Sequence, residues 1–161
     1  MDLQQPNFRS AYYYVAQLSV DCWWCGAITR AVALVLPDGH EALDEPDEQD
    51  IQRWQVFAGW ALLFYIDELS VGAEANLCGL APGFRLVTSD DTQTSVWVNH
   101  CEHCRGSLSD DELHCEPGDS FLPDTAARGA NVRLSRIDEA LEATAGGCSM
   151  DPEFLPLARR S

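Results

Sequence analysis

Apolar and polar positions along this chain fall into short runs separated by turn-forming residues. In residues 11–20 (AYYYVAQLSV), Tyr12, Tyr14, Ala16, Leu18 and Val20 share one face by period-two alternation. Val15 on the other face is also apolar, so the run predicts a strand covered on both sides. Residues 27–36 (AITRAVALVL) form a second β-like run, and Cys22-Trp-Trp-Cys25-Gly26 lies between the two. That order reads as a hairpin with the cysteines at its tip. Between 51 and 69, Trp54, Phe57, Ala61, Phe64 and Tyr65 recur near helical spacing, with acids from Asp47 to Asp50 ahead of them. This predicts a long helix, apolar nearly all round at its middle. A shorter helical piece is expected near 73–80, closed by Ala81-Pro82-Gly83, and 95–99 (SVWVN) reads as a strand. Residues 135–144 (SRIDEALEAT) have the pattern of an amphipathic helix capped by Ser135, with Asp138 and Glu139 near its start.

The candidate chemistry sits where strands turn. A C-x-x-C turn puts two sulfurs on one side of a tight loop, and two such turns complete a tetrahedral Cys₄ site for zinc. Cys22 and Cys25 are one pair; Cys101 and Cys104, directly after strand 95–99, are the other, with residues 107–114 expected to return beside that strand. Gly26 suits the place after the second cysteine of its turn, where a positive φ turns backbone N–H groups toward sulfur. In the second turn Arg105 holds that place and Gly106 comes one later. The long spacer between the pairs predicts an insertion within a zinc ribbon. A redox C-x-x-C would open a helix in a βαβ unit, and here β-like runs flank both turns. His100, His103, His114 and Cys115 raise the alternative of a second, open metal site, against which His103 reads as a side chain of the turn. Cys78, Cys115 and Cys148 read as small buried residues. No H-E-x-x-H, G-x-S-x-G, P-loop or zinc-deaminase pattern occurs, and Asp110, Asp111 and Glu112 read as a solvated bend.

Composition narrows the partners. Apolar residues make up 46% of the 161, enough for a core, and the 11-residue apolar run 56–66 is too short for a bilayer span of about 20 residues. Twenty-six acids face ten basic residues, all Arg, for a formal charge of −16. Such a chain repels nucleic-acid backbones and anionic membranes and attracts a basic protein. Seven of the acids lie in 37–50, which contains no Lys or Arg and reads as a solvated acidic loop. The polar first ten residues lack the pattern of a secretory signal, so a reducing cytosol is expected, where paired cysteines hold metal more often than disulfides.

Cys22-Trp-Trp-Cys25, then Trp97-Val-Asn99-His100-Cys101-Glu-His-Cys104, then Leu113-His114-Cys115-Glu116-Pro117-Gly118-Asp-Ser-Phe121-Leu-Pro123 follow one another in order. Together they resemble a group of uncharacterised bacterial proteins that have an aromatic C-x-x-C, an aromatic strand running into N-H-C-x-x-C, and an L-H-x-E-P-G-like segment. The resemblance covers most of 12–123 and implies a zinc-ribbon-like core with a helical insertion; it implies no activity. Arg105 departs from the glycine usual after the second pair.

The expectation is therefore an α+β fold: zinc-ribbon-like antiparallel β hairpins with a helical insertion (51–80) and a C-terminal helix. It forms one zinc-stabilised domain over 1–145, with a flexible tail over 146–161. One structural Zn²⁺ is held by Cys22, Cys25, Cys101 and Cys104. The expected role is a non-enzymatic, acidic, cytoplasmic protein-binding module, at its sharpest an immunity protein that neutralises a basic, nuclease-like toxin. A zinc-ribbon regulatory or nucleic-acid-linked module and a redox or metal-site enzyme are the alternatives.

Overall fold

The computed structural model describes residues 5–114, 120–121, 125–129, 131–152 and 154–160. In chain order its elements are β1 (Phe8–Ser10), β2 (Tyr13–Asp21), β3 (Ile28–Leu36), β4 (Glu41–Leu43), β5 (Trp54–Val56), β6 (Ala61–Leu69), α1 (Val71–Leu80), β7 (Phe84–Thr88), β8 (Ser95–His100), β9 (Ser107–Leu108), α2 (Asp110–His114), α3 (Ala126–Gly129), β10 (Arg133–Ile137), β11 (Leu141–Met150) and β12 (Arg159–Arg160). Nine strands form one curled sheet in the order β12-β10-β2-β3-β6-β11-β1-β4-β5, and β7-β8-β9 form a second, small sheet.

Period-two alternation in β2 and β3 feeds two apolar layers, one on each face of the large sheet. Tyr13, Val15, Val32, Leu34 and Leu36 join Ala73 and Leu77 of α1 and Phe84 and Trp97 of the small sheet. Tyr14, Ala16, Ala31, Ala33 and Val35 face the opposite way and meet Leu108, Leu113, Phe121, Leu134 and Phe154. α1 forms where the shorter helical piece is expected, and buries Ala73 and Leu77.

The expected α+β architecture is not what forms. The long helix over 51–69 is instead β5, a bend at 58–59, and β6, which pairs with β3 and β11. Ala61, Leu62 and Leu63 are all fully buried, because β6 is central and covered on both faces. Such a strand shows no alternation, and a short continuous apolar run is indistinguishable from a buried helix by period alone. The C-terminal helix is likewise replaced by β10, a turn, and β11. Leu141, Ala143 and Ala145 alternate into the core there, and tertiary pairing overrides the helical preference of Glu, Ala and Leu. Residues 146–150 are the second half of β11, and Phe154 is fully buried. Within the acidic stretch, β4 pairs with β1 and β5, while 45–50 are exposed. No helix among the described residues is long and apolar enough to cross a membrane.

Two asparagines stitch this β-structure together. β3 pairs with β6 only at Val35↔Leu62 and Leu36↔Ala61. Farther along β3, the buried amide of Asn99 accepts from Val32 N (2.9 Å) and donates to Val32 O (2.9 Å), standing in for a strand. This ties β8 to β3. The Asn7 amide does the same for Ala145 N (2.9 Å) and O (2.8 Å), where β11 shifts register against β6.

Candidate metal centre

Each C-x-x-C turn closes a β-hairpin. β2 and β3 pair from Tyr14↔Val35 to Asp21↔Ile28, leaving Cys22–Ala27 as the tip; β8 and β9 pair at Asn99↔Leu108 and His100↔Ser107, leaving Cys101–Gly106. The two tips have the same backbone pattern. Cys22 N donates to Ala27 O (2.9 Å) and Gly26 N to Cys22 O (2.8 Å); Cys101 N donates to Gly106 O (2.9 Å) and Arg105 N to Cys101 O (3.0 Å). The residue after the second cysteine is left-handed in both, Gly26 at φ 77° and Arg105 at φ 65°. The arginine that departs from the usual glycine thus adopts the glycine's conformation.

Asn99 sets the second tip against the first, and the tips then clasp each other. Trp24 Nε1 donates to Ser107 O (2.9 Å), and the Trp24 ring lies so close to Gly106 that a Cβ there would meet Cδ1 at 2.5 Å. In return Glu102 N donates to Thr29 Oγ1 (2.9 Å), the His103 Nε2–H donates to Ile28 O (3.1 Å), and Arg30 pairs with Glu102 (3.2 Å).

This brings Cys22, Cys25, Cys101 and Cys104 together with their sulfurs all within 4.8 Å of one another. Across the tips, Cys22 to Cys104 is 3.6 Å and Cys25 to Cys101 is 3.7 Å. A disulfide needs about 2.05 Å, whereas a zinc tetrathiolate with Zn–S near 2.3 Å has S–S edges of about 3.8 Å. The donors fit a tetrahedral metal. Backbone N–H groups support the sulfurs: Trp24 N on Cys22 (3.3 Å), His103 N on Cys101 (3.4 Å) and Gly106 N on Cys104 (3.4 Å). The cluster is electrostatically uneven. Cys101 is pulled down to about 6, first by the Cys104 N–H and then by that of His103. Cys104 is pushed up to about 11: the Gly106 N–H lowers it, but burial and the neighbouring Cys22, Cys25 and Cys101 outweigh that. Cys101 therefore gives up its proton more readily than Cys104.

Protein-family models, curated proteins and solved structures give no match to this chain. The centre therefore rests on its own geometry.

The histidines stand outside the cluster, which among the described residues comprises the four cysteines. His103 belongs to the clasp, and the buried His100 donates from Nδ1 to Gly83 O (3.0 Å). His114 stacks on Phe121 (4.9 Å between centroids) and approaches Asp110 (Nε2 to Oδ1 3.6 Å). Asp110 itself is buried, not a solvated bend, and accepts the Tyr65 N–H (2.8 Å). Burial, chiefly, raises its carboxyl to about 6. Cys115 and the Glu116-Pro117-Gly118 turn lie outside the described residues. Cys78 is exposed, and burial raises the thiol of the half-buried Cys148. Trp24, Thr29 and Asn99 were not among the expected site residues. Trp24 and Asn99 had a signal in the aromatic C-x-x-C and N-H-C runs, whereas Thr29 acts by a hydrogen bond that spacing cannot reveal.

Proposed function

We propose that one Zn²⁺ is held by Cys22, Cys25, Cys101 and Cys104, and that the domain it closes is a non-enzymatic, acidic protein-binding module of the bacterial cytosol. The observation that carries this reading is the set of four sulfurs, drawn from two clasped hairpins and spaced for a tetrahedral ion. A Cys₄ zinc has no open position for water, so its contribution is to folding. The chain's charge of −16 supports a basic partner, and a zinc tetrathiolate adds two further negative charges. The sharpest form of the proposal is an immunity protein that covers the cationic active-site face of a nuclease-like toxin.

Elemental analysis of the purified chain should find about one zinc. Cys22→Ser and Cys104→Ser should lose it and leave the chain molten, whereas Cys78→Ala and Cys148→Ala should keep it. A well-folded wild-type chain without metal defeats the zinc assignment. For the partner, pull-down followed by co-expression with the neighbouring gene product should rescue cells from that product. Association should slow steeply with salt and fall several-fold when Asp44, Glu45, Asp47 and Glu48 are neutralised. Recovery of an acidic protein, RNA or DNA refutes the partner reading and leaves the metal reading standing.

A further inference from the structure

Beside the second cysteine turn lies a cavity of about 350 Å³ whose lining includes Gly83, Arg85, His100, Glu102 and Arg105. In a chain of net charge −16 this lining gathers two arginines against one carboxylate. Glu102, its one carboxylate, is engaged by Arg30 (3.2 Å). Among the described residues neither Arg85 nor Arg105 has a carboxylate within ion-pairing distance. Arg105 is also held at φ 65°, a conformation in which the equivalent residue of the first turn is Gly26. An arginine is strained there, and strain kept at one position is a pointer to use. Arg85 and His100 are brought to one side of the small sheet by the register Phe84↔Asn99 and Arg85↔Val98. The His100–Gly83 hydrogen bond (3.0 Å) pins the cavity wall.

The geometry points to a binding site for a small oxyanion-bearing ligand, with its phosphate or carboxylate seated between the guanidinium groups of Arg85 and Arg105. Guanidinium is the side chain suited to this task, because its planar donors match both oxyanions in bidentate fashion. The site does not depend on the partner proposed above. Its rival is a structural one: the same arginines would merely offset the negative charge of a tetrathiolate centre, since Cys101 also borders the cavity.

Calorimetric titration of the full chain as purified, with inorganic phosphate and separately with succinate, decides between them. Binding is expected with a Kd of about 1 mM or tighter for one of the two probes, which identifies the oxyanion. Arg105→Gly and Arg85→Gln should each weaken that binding about tenfold or more, with metal content unchanged. Arg105→Gly should also melt higher than wild type because the strain is relieved, while Arg133→Gln, outside the cavity, should bind normally. Failure of both probes to bind overturns the site. So does binding that survives both cavity variants, or an Arg105→Gly protein that loses metal.

Discussion

The Asn99 amide is the most informative single perturbation of this fold. Asn99 is 1% exposed and makes two hydrogen bonds, both 2.9 Å, to the backbone N–H and C=O of Val32, which is itself 3% exposed. In Asn99→Ala both backbone groups lose their partner on the side that β6 has left open. A buried donor or acceptor left unsatisfied costs about 1–3 kcal/mol, so the pair costs about 2–6 kcal/mol, less whatever a water admitted to the vacated space recovers. That is a large share of the roughly 5–15 kcal/mol that holds a domain together. Urea unfolding should show it as a midpoint lowered by on the order of 1–3 M at unchanged slope, with m near 2 kcal/mol/M. Thr92→Ala, which removes an exposed hydrogen bond to Thr94 (2.6 Å), is the control and should shift stability by no more than about 0.5 kcal/mol. Metal should also leave Asn99→Ala faster under a chelator, because Asn99 fixes the strand that carries Cys101. If Asn99→Ala unfolds like the control, the amide is not the link between the sheets and the argument fails.

Asp110 makes stability depend on pH. Its folded value of about 6 lies above the usual 3.8, so its contribution is complete below about 3.8 and is lost as pH rises through 6. The difference of about two units corresponds to on the order of 3 kcal/mol, and Asp110→Asn, which still offers an oxygen to the Tyr65 N–H, should gain on wild type progressively from pH 4 to pH 7. Parallel melting curves for the two proteins across that range would refute this. Gly106→Ala would drive a Cβ into the Trp24 ring and should destabilise by about 1–3 kcal/mol while accelerating metal release. Gly26→Ala, with no atom within 4 Å of the new Cβ but φ 77°, should cost about 1 kcal/mol through backbone strain. Equal metal release from the two would show that Trp24 does not clasp the second tip.

The parts legible beforehand are those whose physics is local. A C-x-x-C flanked by β-like runs specifies a hairpin tip with two sulfurs on one side, and both tips form. The double-sided apolarity around Val15 announces a strand buried on both faces, and Ala81-Pro82-Gly83 marks where α1 stops. The misread parts are decided by distant residues. Ala61–Leu69 is a strand because β3 and β11 flank it, and Leu141–Ala145 is a strand because β1 and β6 do. Neither neighbour is visible within a window of sequence. At the centre the pairing of the four cysteines that cluster was readable from spacing, but the clasp was not. Trp24 reaches Ser107 across 83 positions, and Arg105 takes a glycine's conformation without a glycine's sequence.

The tie between Asn7 and Ala145 bears on how the chain comes off the ribosome. β1 is bracketed by β4 and β11, and β2 by β3 and β10, so strands synthesised first must wait for partners made more than a hundred residues later. Closing such distant pairs is entropically slow and leaves early strand edges bare in the meantime. The hairpin of β2 and β3 and the pairings of β4 with β1 and β5 are the exceptions, since they can form as soon as they emerge. A nascent chain halted at about Leu80 would hold one cysteine pair and no second. Its open edges would then be a natural target for chaperones until residues 95–150 arrive.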